Sequence, residues 1–482
     1  MIKVLLTGST GYIGRRLKAK LMEDADVQLR IFVRSIKKAR ESAEKSLEII
    51  KGDTFNKESL KKAAAGIDVA YYLIHSMGSG KNFEQLDRIS AENFRNACIE
   101  AGVKRIIYLG GLGVKETASK HLLSRIETGE ILSAMPLRIQ TIWFRAGIII
   151  GSGSASFEII RNLVQKLPVM VTPKWVSTKT QPIGIGDVLN YLWKAKDRAI
   201  SGNLMVDIGA EQMSFKEMLE RTAEVMPETS SSKRHVIPVP VLTPRLSSYW
   251  LVLFTPVPYK VASALIEGLK SETVIQNDNA EKYFPDITPA PFEEVVRRAL
   301  LTIESNEVIS RWCDSSAGEV SDVSHNPHEM TRAIYKDQRI YSFGETAPHK
   351  IFTSVKLVGG KNGWFNFDFL WVIRGFIDKL FGGYGINRGR RNDIDLRIGD
   401  KLDFWKVVDI KNNNRLLLEA QMKVPGRAWL EFRIEGDNLV QTAYFYPNNL
   451  LGKIYWYLTM PFHFFVFRDL ARNIIKRAEK IA

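Results

Sequence analysis

A loop with three glycines follows the first apolar run of the chain and could bind a pyrophosphate. Gly8, Gly11 and Gly14 have G-x-x-G-x-x-G spacing, between a short apolar run and an amphipathic stretch. Glycines here let the backbone turn sharply towards phosphate oxygens, and the last one lets a helix pack closely on a strand. The helix N-terminus would offer free N–H groups to the anion. The residues expected to line this dinucleotide site are Thr7, Gly8, Thr10, Gly11, Tyr12, Ile13 and Gly14.

The residue after the second predicted strand indicates which dinucleotide is preferred. Arg34 lies 20 positions beyond Gly14, where an NAD site would place Asp or Glu against the ribose 2′-hydroxyl. A cation at this position suits a 2′-phosphate, so we predict NADP(H) as the preferred cofactor and NAD(H) as the alternative. The competing interpretation of Arg34 is a solvated surface charge. Asp53, after the third strand, is placed to contact the adenine amino group.

Apolar runs alternate with helical patterns over the first 145 residues. The predicted strands are 3–7, 28–33, 47–51, 69–74, 105–109 and 139–145, and an amphipathic helix is predicted at 83–101. Strands that alternate with helices favour an α/β fold with a doubly wound parallel sheet. Such a sheet brings the carboxyl ends of its strands to one crevice. Ile74 and His75, after the fourth strand, are therefore expected beside the cofactor.

The pattern changes twice further along the chain. Residues 150–305 continue with helices and short strands, typical of a small lobe appended to the sheet, so we place the first domain at 1–305. A polar stretch at 306–335 is predicted to be a linker. Residues 336–482 are predicted to form an α+β domain with an antiparallel sheet. Its expected strands are 349–358, 404–410, 415–422, 428–434 and 439–446, and a long helix at 451–480 is expected to be interrupted by Pro461.

The composition excludes several classes of protein for this chain. The chain has 482 residues and a formal charge of +15, spread over both halves without a basic arm, which argues against a nucleic-acid partner. Two cysteines, Cys98 and Cys313, build neither a disulfide framework nor a metal site, so we expect no metal and a reducing, cytoplasmic location. The longest apolar run, 454–467, is too short to span a membrane. No integral membrane segment is expected, and peripheral membrane contact is left open.

Several motifs resemble one family. The glycine loop, Gly52-Asp53 and the stretch 145–151 resemble short-chain dehydrogenases/reductases of the extended or atypical kind, over residues 1–305. The stretches 72–77, 108–113 and 121–127 resemble the atypical subgroup that includes nucleoside-diphosphate-sugar epimerase-like and NmrA-like proteins. The resemblance implies an NAD(P)-binding Rossmann domain.

The same comparison exposes a departure from the family's catalytic pattern. The family uses a Tyr-x-x-x-Lys pair and a serine, and aligned by order these positions hold His121, Arg125 and Gly110 or Gly111. Arg125 could hold the nicotinamide ribose but could not carry a proton near neutral pH. His121, with an ordinary pKa of about 6.5, is the first candidate for an acid or base, and His75 is the second. The competing interpretation is that both histidines are packing residues.

The second domain resembles a domain of unknown function that is often fused to these reductases. It is also similar to the START and polyketide-cyclase helix-grip folds, which implies a pocket for a hydrophobic small molecule. We predict such an apolar pocket from residues 428–480 and a glycine turn at 382–385. Arg388, Arg390 and Arg391 could meet an anionic group, although a solvated charge run is the simpler interpretation.

Three functions follow as hypotheses. The first is an NADPH-dependent oxidoreductase acting on a hydrophobic carbonyl or quinone-like substrate. The second is a non-catalytic NADPH-binding sensor or assembly factor, since regulatory NmrA-like relatives also lack the Tyr–Lys pair. The third, a nucleotide-sugar epimerase, is least favoured because its chemistry withdraws a hydride through a tyrosinate that this chain lacks.

Overall fold

A computed structural model divides the protein into two units, Met1–Ser321 and Asp322–Ala482. The structure describes residues 1–39, 47–75, 82–229, 234–239, 251, 254–257, 259–314, 333–364, 368–380 and 390–481. The predicted turn at 382–385 and most of the predicted linker lie outside these residues. Residues 306–314, which the sequence assigned to the linker, contact the first unit, since Trp312 N–H donates to the Gly153 carbonyl at 2.8 Å.

Strands and helices alternate through the first unit. Its strands are β1 Ile2–Thr7, β2 Val27–Val33, β3 Glu48–Lys51, β4 Val69–Tyr72, β5 Arg105–Gly111, β6 Gln140–Ala146, β7 Ile149–Ile150, β8 Val169–Pro173, β9 Lys179–Thr180, β10 Ile183–Gly184, β11 Leu204–Ile208, β12 Met213–Ser214 and β13 His235–Val239. Its α-helices are α1 Tyr12–Met22, α2 Ile36–Ala39, α3 Lys57–Ala64, α4 Phe83–Glu100, α5 Lys120–Ser133, α6 Ala155–Lys166, α7 Ile185–Lys194, α8 Phe215–Val225, α9 Tyr259–Gly268, α10 Asn279–Tyr283 and α11 Phe292–Glu304.

Seven strands form the main sheet of this unit, in the order β11-β6-β5-β4-β1-β2-β3, and every pair is parallel. The predicted doubly wound α/β fold is confirmed. Strand order reverses between β1 and β4, and such a reversal opens a crevice at the carboxyl ends of the strands. The ends of β1 and β4 are joined there, because the Thr7 hydroxyl donates to the Tyr71 carbonyl at 2.8 Å.

Both faces of this sheet are buried, as a parallel sheet requires. Along β4, Tyr71 packs into one apolar cluster with α1 and α7, while Ala70 and Tyr72 pack into another with α3, α4 and α5. A third cluster, built from α6, α8, α9 and α11, is the core of the appended lobe that the sequence predicted. This lobe supplies one wall of the site described below.

The second unit is built on an antiparallel sheet. Its strands are β14 Tyr335–Ser342, β15 Lys401–Leu402, β16 Trp405–Lys411, β17 Arg415–Ala420, β18 Gly426–Glu435 and β19 Asn438–Pro447, and its α-helices are α12 Pro348–Lys356, α13 Asp368–Leu380 and α14 Leu450–Glu479. The order is β14-β19-β18-β17-β16-β15. Leu418, Leu430 and Phe432 share one face, which packs against α12 and the C-terminal half of α14. The expected antiparallel α+β domain is confirmed, whereas its likeness to helix-grip folds stays a prediction.

The predicted strand at 349–358 is wrong, since this segment forms helix α12. Its buried residues Ile351, Phe352 and Val355 recur at helical spacing, and Pro348 occupies the first turn, where its missing N–H is not needed. β-branched residues in a short apolar segment mimic a strand. Packing against α14 selects the helix instead.

The expected interruption at Pro461 is also wrong, because α14 runs through it from Leu450 to Glu479. Proline removes one N–H donor from the ladder and leaves the carbonyl four residues earlier without its usual partner. Pro461 is exposed, so water can satisfy that carbonyl. Within the described part of the chain, this and every other helix is too short or too polar to cross a membrane.

Candidate functional site

The glycine loop is folded so tightly that side chains are excluded from it. Gly8 has a φ of +70°, a region that favours glycine, and a Cβ there would lie 2.3 Å from the Leu73 carbonyl oxygen. A Cβ on Gly14 would lie 2.1 Å from the Gly8 carbonyl oxygen. Gly11 N–H donates to that same carbonyl at 2.9 Å and closes the turn. The predicted spacing therefore has a direct steric cause.

Helix α1 begins at this loop with its first N–H groups available to a ligand. Gly11 is the N-cap residue, and no side chain caps the helix. The first N–H of this segment that reaches an intrahelical carbonyl belongs to Arg15, which donates to Gly11 at 3.0 Å. The N–H groups of Tyr12, Ile13 and Gly14 precede it, and helix termini of this kind bind phosphate. The Ser9 hydroxyl is buried in the loop with no hydrogen-bond partner among the described residues. The cradle fits a pyrophosphate.

The other predicted cofactor residues follow neighbouring strands. Gly52 N–H donates to the Val33 carbonyl at 3.0 Å, so the segments that carry Arg34 and Asp53 leave the sheet side by side. Arg34 is exposed. The Asp53 carboxylate accepts the Phe55 N–H at 3.0 Å, which shapes the turn after β3. The parallel register places these residues at the same sheet edge as the glycine loop.

His75, just after β4, is held by two further side chains. Its Nδ1 lies 3.1 Å from Asp87 Oδ2, and that oxygen also accepts the Ser124 hydroxyl at 2.9 Å. A carboxylate on Nδ1 makes that nitrogen the donor and leaves Nε2 as the acceptor. Nε2 is buried and has no partner within the described ranges.

His121 and Arg125 lie one helical turn apart on α5. The ring of His121 stacks on Phe83 with a centroid distance of 4.5 Å. Its Nδ1 is buried and finds no hydrogen-bond partner in the part of the chain that the structure describes. The Arg125 guanidinium makes no ion pair with any described carboxylate. A cation and an unpaired imidazole thus face the same space.

The charges of these residues influence one another. Burial lowers the pKa of His75 below its ordinary value; Arg125 lowers it further, and the hydrogen bond to Asp87 opposes both. Burial also lowers the pKa of His121, with Arg125 acting in the same direction and Glu267 opposing. Each imidazole is therefore biased towards its neutral form near neutral pH.

A cavity of about 150 Å³ adjoins His121 and Arg125. Leu122 from α5, Ile159 from α6, and Leu265 with Leu269 from the α9 region contribute to its largely apolar wall. All lining residues belong to the first unit. An apolar space with a few polar groups at one end is the usual form of a small-molecule site.

The glycines at the family's serine position have a packing reason. A Cβ on Gly110 would lie 2.6 Å from Trp143 Nε1, and a Cβ on Gly111 would lie 2.6 Å from a Leu122 methyl. The Gly111 Cβ position is also 3.8 Å from the Arg125 guanidinium. The space that a serine would occupy is thus filled by a tryptophan or by the α5 side chains.

Sequence reasoning missed Asp87, Ser124 and the α9 wall of the cavity. Asp87 lies among the buried positions of α4, and a carboxylate between Phe83 and Ala91 on the same helix face was a signal for a buried partner. Ser124 lies between His121 and Arg125 but offered no signal of its own. The wall formed by Leu265 and Leu269 could not be predicted from local sequence, because α9 and α5 are separated by more than 100 residues in the chain.

Family comparisons agree with both units. Residues 8–135 match the family described as NAD(P)H-binding, and residues 330–470 match a protein family of unknown function (DUF2867). The chain therefore carries an NAD(P)H-binding domain with a Rossmann fold, followed by a separate DUF2867 domain. The predicted dinucleotide-binding domain is confirmed.

The individual proteins to which the chain is similar have low sequence identity to it. The chain is 30% identical over 114 residues to the auxiliary protein GraX of Staphylococcus aureus (strain NCTC 8325 / PS 47), a match covering 23% of this chain and 36% of that protein. It shares its fold with triphenylmethane reductase of Citrobacter sp., at 22% identity and a TM-score of 0.51, over 62% of this chain and all of that enzyme. The NADP(H) complex of that reductase matches over the same shares, at 21% identity and a TM-score of 0.50.

Proposed function

We propose that the protein is an NADPH-dependent oxidoreductase that reduces a hydrophobic carbonyl or quinone-like compound. The observation that carries this proposal is the cavity beside His121 and Arg125, which joins an apolar wall to a proton-carrying group and a cation. The loop of Gly8, Gly11 and Gly14 would hold the pyrophosphate, and NADPH supplies a hydride when bound. The reductase that shares the fold takes its name from triphenylmethane dyes, which are large aromatic compounds.

Three side chains would have separate roles in the proposed reduction. Arg125 would orient the ribose and polarise the substrate oxygen, because a guanidinium stays charged at any working pH. His121 would deliver the proton to that oxygen. His75 is oriented by Asp87. It would line the crevice on the cofactor side, and it is the second candidate for the proton donor.

The direct test is NADPH oxidation with a panel of enones, quinones and apolar ketones, followed at 340 nm as an ordinary absorbance assay. Turnover with at least one apolar member supports an oxidoreductase. A second candidate, a non-catalytic NADPH-binding sensor, is favoured by the missing Tyr–Lys pair. It replaces the first if NADPH binds tightly and no member of the panel is reduced.

A substitution in the cavity should separate substrate binding from cofactor binding. Ala264 is buried in the cavity wall on α9. Ala264→Phe adds a ring that fills much of the space, so we expect KM for the best apolar substrate to rise about tenfold or more. NADPH affinity, measured by fluorescence titration, should change less than about twofold.

Lys270→Phe is the matched control, because it introduces the same ring at an exposed position just after α9. It should leave both constants as they are. An unchanged KM in a folded Ala264→Phe protein, verified by thermal unfolding, would place the substrate elsewhere.

Arg34 should set the preference between the two dinucleotides. An ionic contact to the 2′-phosphate contributes about 1.5–3 kcal/mol, so Arg34→Ala should weaken NADPH binding by about tenfold to a hundredfold while NADH binding stays constant. Titrations of both cofactors measure the ratio. Arg138→Ala, an exposed arginine on the same unit, serves as the control. Equal affinities for the two cofactors in the unaltered protein would refute the assignment.

A further inference from the structure

The N-terminal half of α14 exposes a continuous apolar stripe. Its members are Leu450, Leu451, Ile454, Tyr457, Leu458 and Phe465, exposed by 47–71%. Their spacing along the helix follows a period near 3.6, so they share one side of it. The opposite side holds Trp456, which is buried and stacks on Phe445. The stripe is therefore a second, outward apolar face on a helix whose core face is already occupied.

Helix α13 carries a similar stripe. Phe369, Ile373, Phe376 and Ile377 are exposed by 41–60% and recur at helical spacing. On its other side, Trp371 packs against Trp364 at a ring distance of 5.5 Å. Together, we call the α13 and α14 stripes the apolar face of the second unit.

The helices that carry the two stripes meet at the turn between β17 and β18. The Lys423 N–H donates to Asp378 of α13 at 2.7 Å, and an Arg374 N–H lies 3.4 Å from the Lys423 carbonyl. Two residues on, the Pro425 carbonyl accepts the Asn448 N–H at 3.1 Å, just before α14 begins. One short turn thus connects the end of α13 to the start of α14.

Most of the charged residues on and beside the apolar face are positive. Residues 369–377 and 450–468 contain no Asp or Glu, whereas they contain Arg374, Lys453 and Arg468. Lys423, on the turn between the stripes, is exposed. Asp378, which follows the α13 stretch, is buried and accepts the Lys423 N–H, and Asp469, which follows the α14 stretch, lies 3.9 Å from the Arg468 guanidinium. The apolar face therefore consists of aromatic and aliphatic side chains, and the charged residues beside it are mostly positive.

We propose that this apolar face binds the surface of an anionic phospholipid bilayer. Ten large side chains, each about half exposed, amount to an apolar area on the order of 1,000 Å², more than the largest patch of a typical monomer. Amphipathic helices with aromatic residues and basic flanks insert into the headgroup region of such membranes. The net charge of +15 adds long-range attraction to anionic lipid.

A second copy of the chain fits this face less well. A two-fold symmetric contact would press this face and its mostly positive surroundings against the same face of the copy, and residues 369–377 and 450–468 contain no carboxylate to offset the repulsion. Lipid phosphates supply the missing negative charge. Charge complementarity thus selects the bilayer.

The test uses flotation of the full chain with vesicles of phosphatidylglycerol and phosphatidylcholine in equal parts, and with pure phosphatidylcholine. We expect binding to the anionic vesicles and at least about tenfold weaker binding to the neutral ones. Leu458→Asp and Ile373→Asp, one on each stripe, should each weaken binding by about tenfold or more. Ile340→Asp, equally exposed on β14, is the matched control and should bind as the unaltered chain does.

Both stripe variants change exposed residues, so circular dichroism and thermal unfolding should match those of the unaltered chain. The proposal is overturned if the chain ignores anionic vesicles, or if the stripe variants bind as well as the control. It is also overturned if size-exclusion chromatography with light scattering shows a dimer that Leu458→Asp disperses.

Discussion

Gly14→Ala should weaken NADPH binding severely. The new Cβ would lie 2.1 Å from the Gly8 carbonyl oxygen and 2.9 Å from the Ser9 Cα, and both atoms are backbone. The start of α1 must therefore move away from the loop, which spoils the alignment of N–H groups that would hold the pyrophosphate. Losing two charge-assisted hydrogen bonds costs about 3–6 kcal/mol, or roughly 10²–10⁴-fold in affinity. Fluorescence titration with NADPH measures the loss.

Gly186→Ala is the control for this substitution. Gly186 lies in α7, and a Cβ there would have no atom within 4 Å. Alanine is the better helix former, so this variant should bind NADPH normally and gain about 0.5–1 kcal/mol of stability. A Gly14→Ala protein that binds NADPH as the control does would show that the nucleotide lies elsewhere.

His121→Ala should lose turnover while it keeps NADPH affinity. Removing a general acid costs about 10²–10⁴-fold in rate, and the imidazole is not part of the pyrophosphate cradle. The fall should appear in kcat with the best substrate of the panel. Lys120→Ala, the exposed neighbour at the start of α5, should be indistinguishable from the unaltered chain.

The pH profile gives this assignment a second readout. Burial lowers the pKa of His121 below 6.5, so its protonated form, which would donate the proton, accumulates only at lower pH. We expect kcat/KM to rise as the pH falls through that lowered pKa, and the rise to vanish in His121→Ala. If the variant keeps both its rate and the acid limb, the proton comes from His75 or from a bound water.

Local sequence patterns were sufficient to predict most of the secondary structure of the first unit. Strand periodicity, the spacing of Gly8, Gly11 and Gly14, and the alternation of strands with helices all depend on neighbours in sequence, and each matches the structure. The same kind of evidence failed at α12, where an apolar run suited either a strand or a helix. There, packing against α14 decided the outcome. It failed again at Pro461, because proline ends a helix only when nothing else compensates.

The sequence by itself determined the Rossmann fold, the dinucleotide loop and the positions of His75, His121 and Arg125 on their elements. Only the tertiary structure decided what surrounds them. Asp87 is the hydrogen-bond partner of both His75 and Ser124, and α9 contributes an apolar wall to the cavity beside α5. The reason is physical. A turn or helix is selected by interactions within a few residues, whereas a buried hydrogen bond or a cavity wall joins segments far apart in the chain, and their meeting depends on the packing of the whole unit.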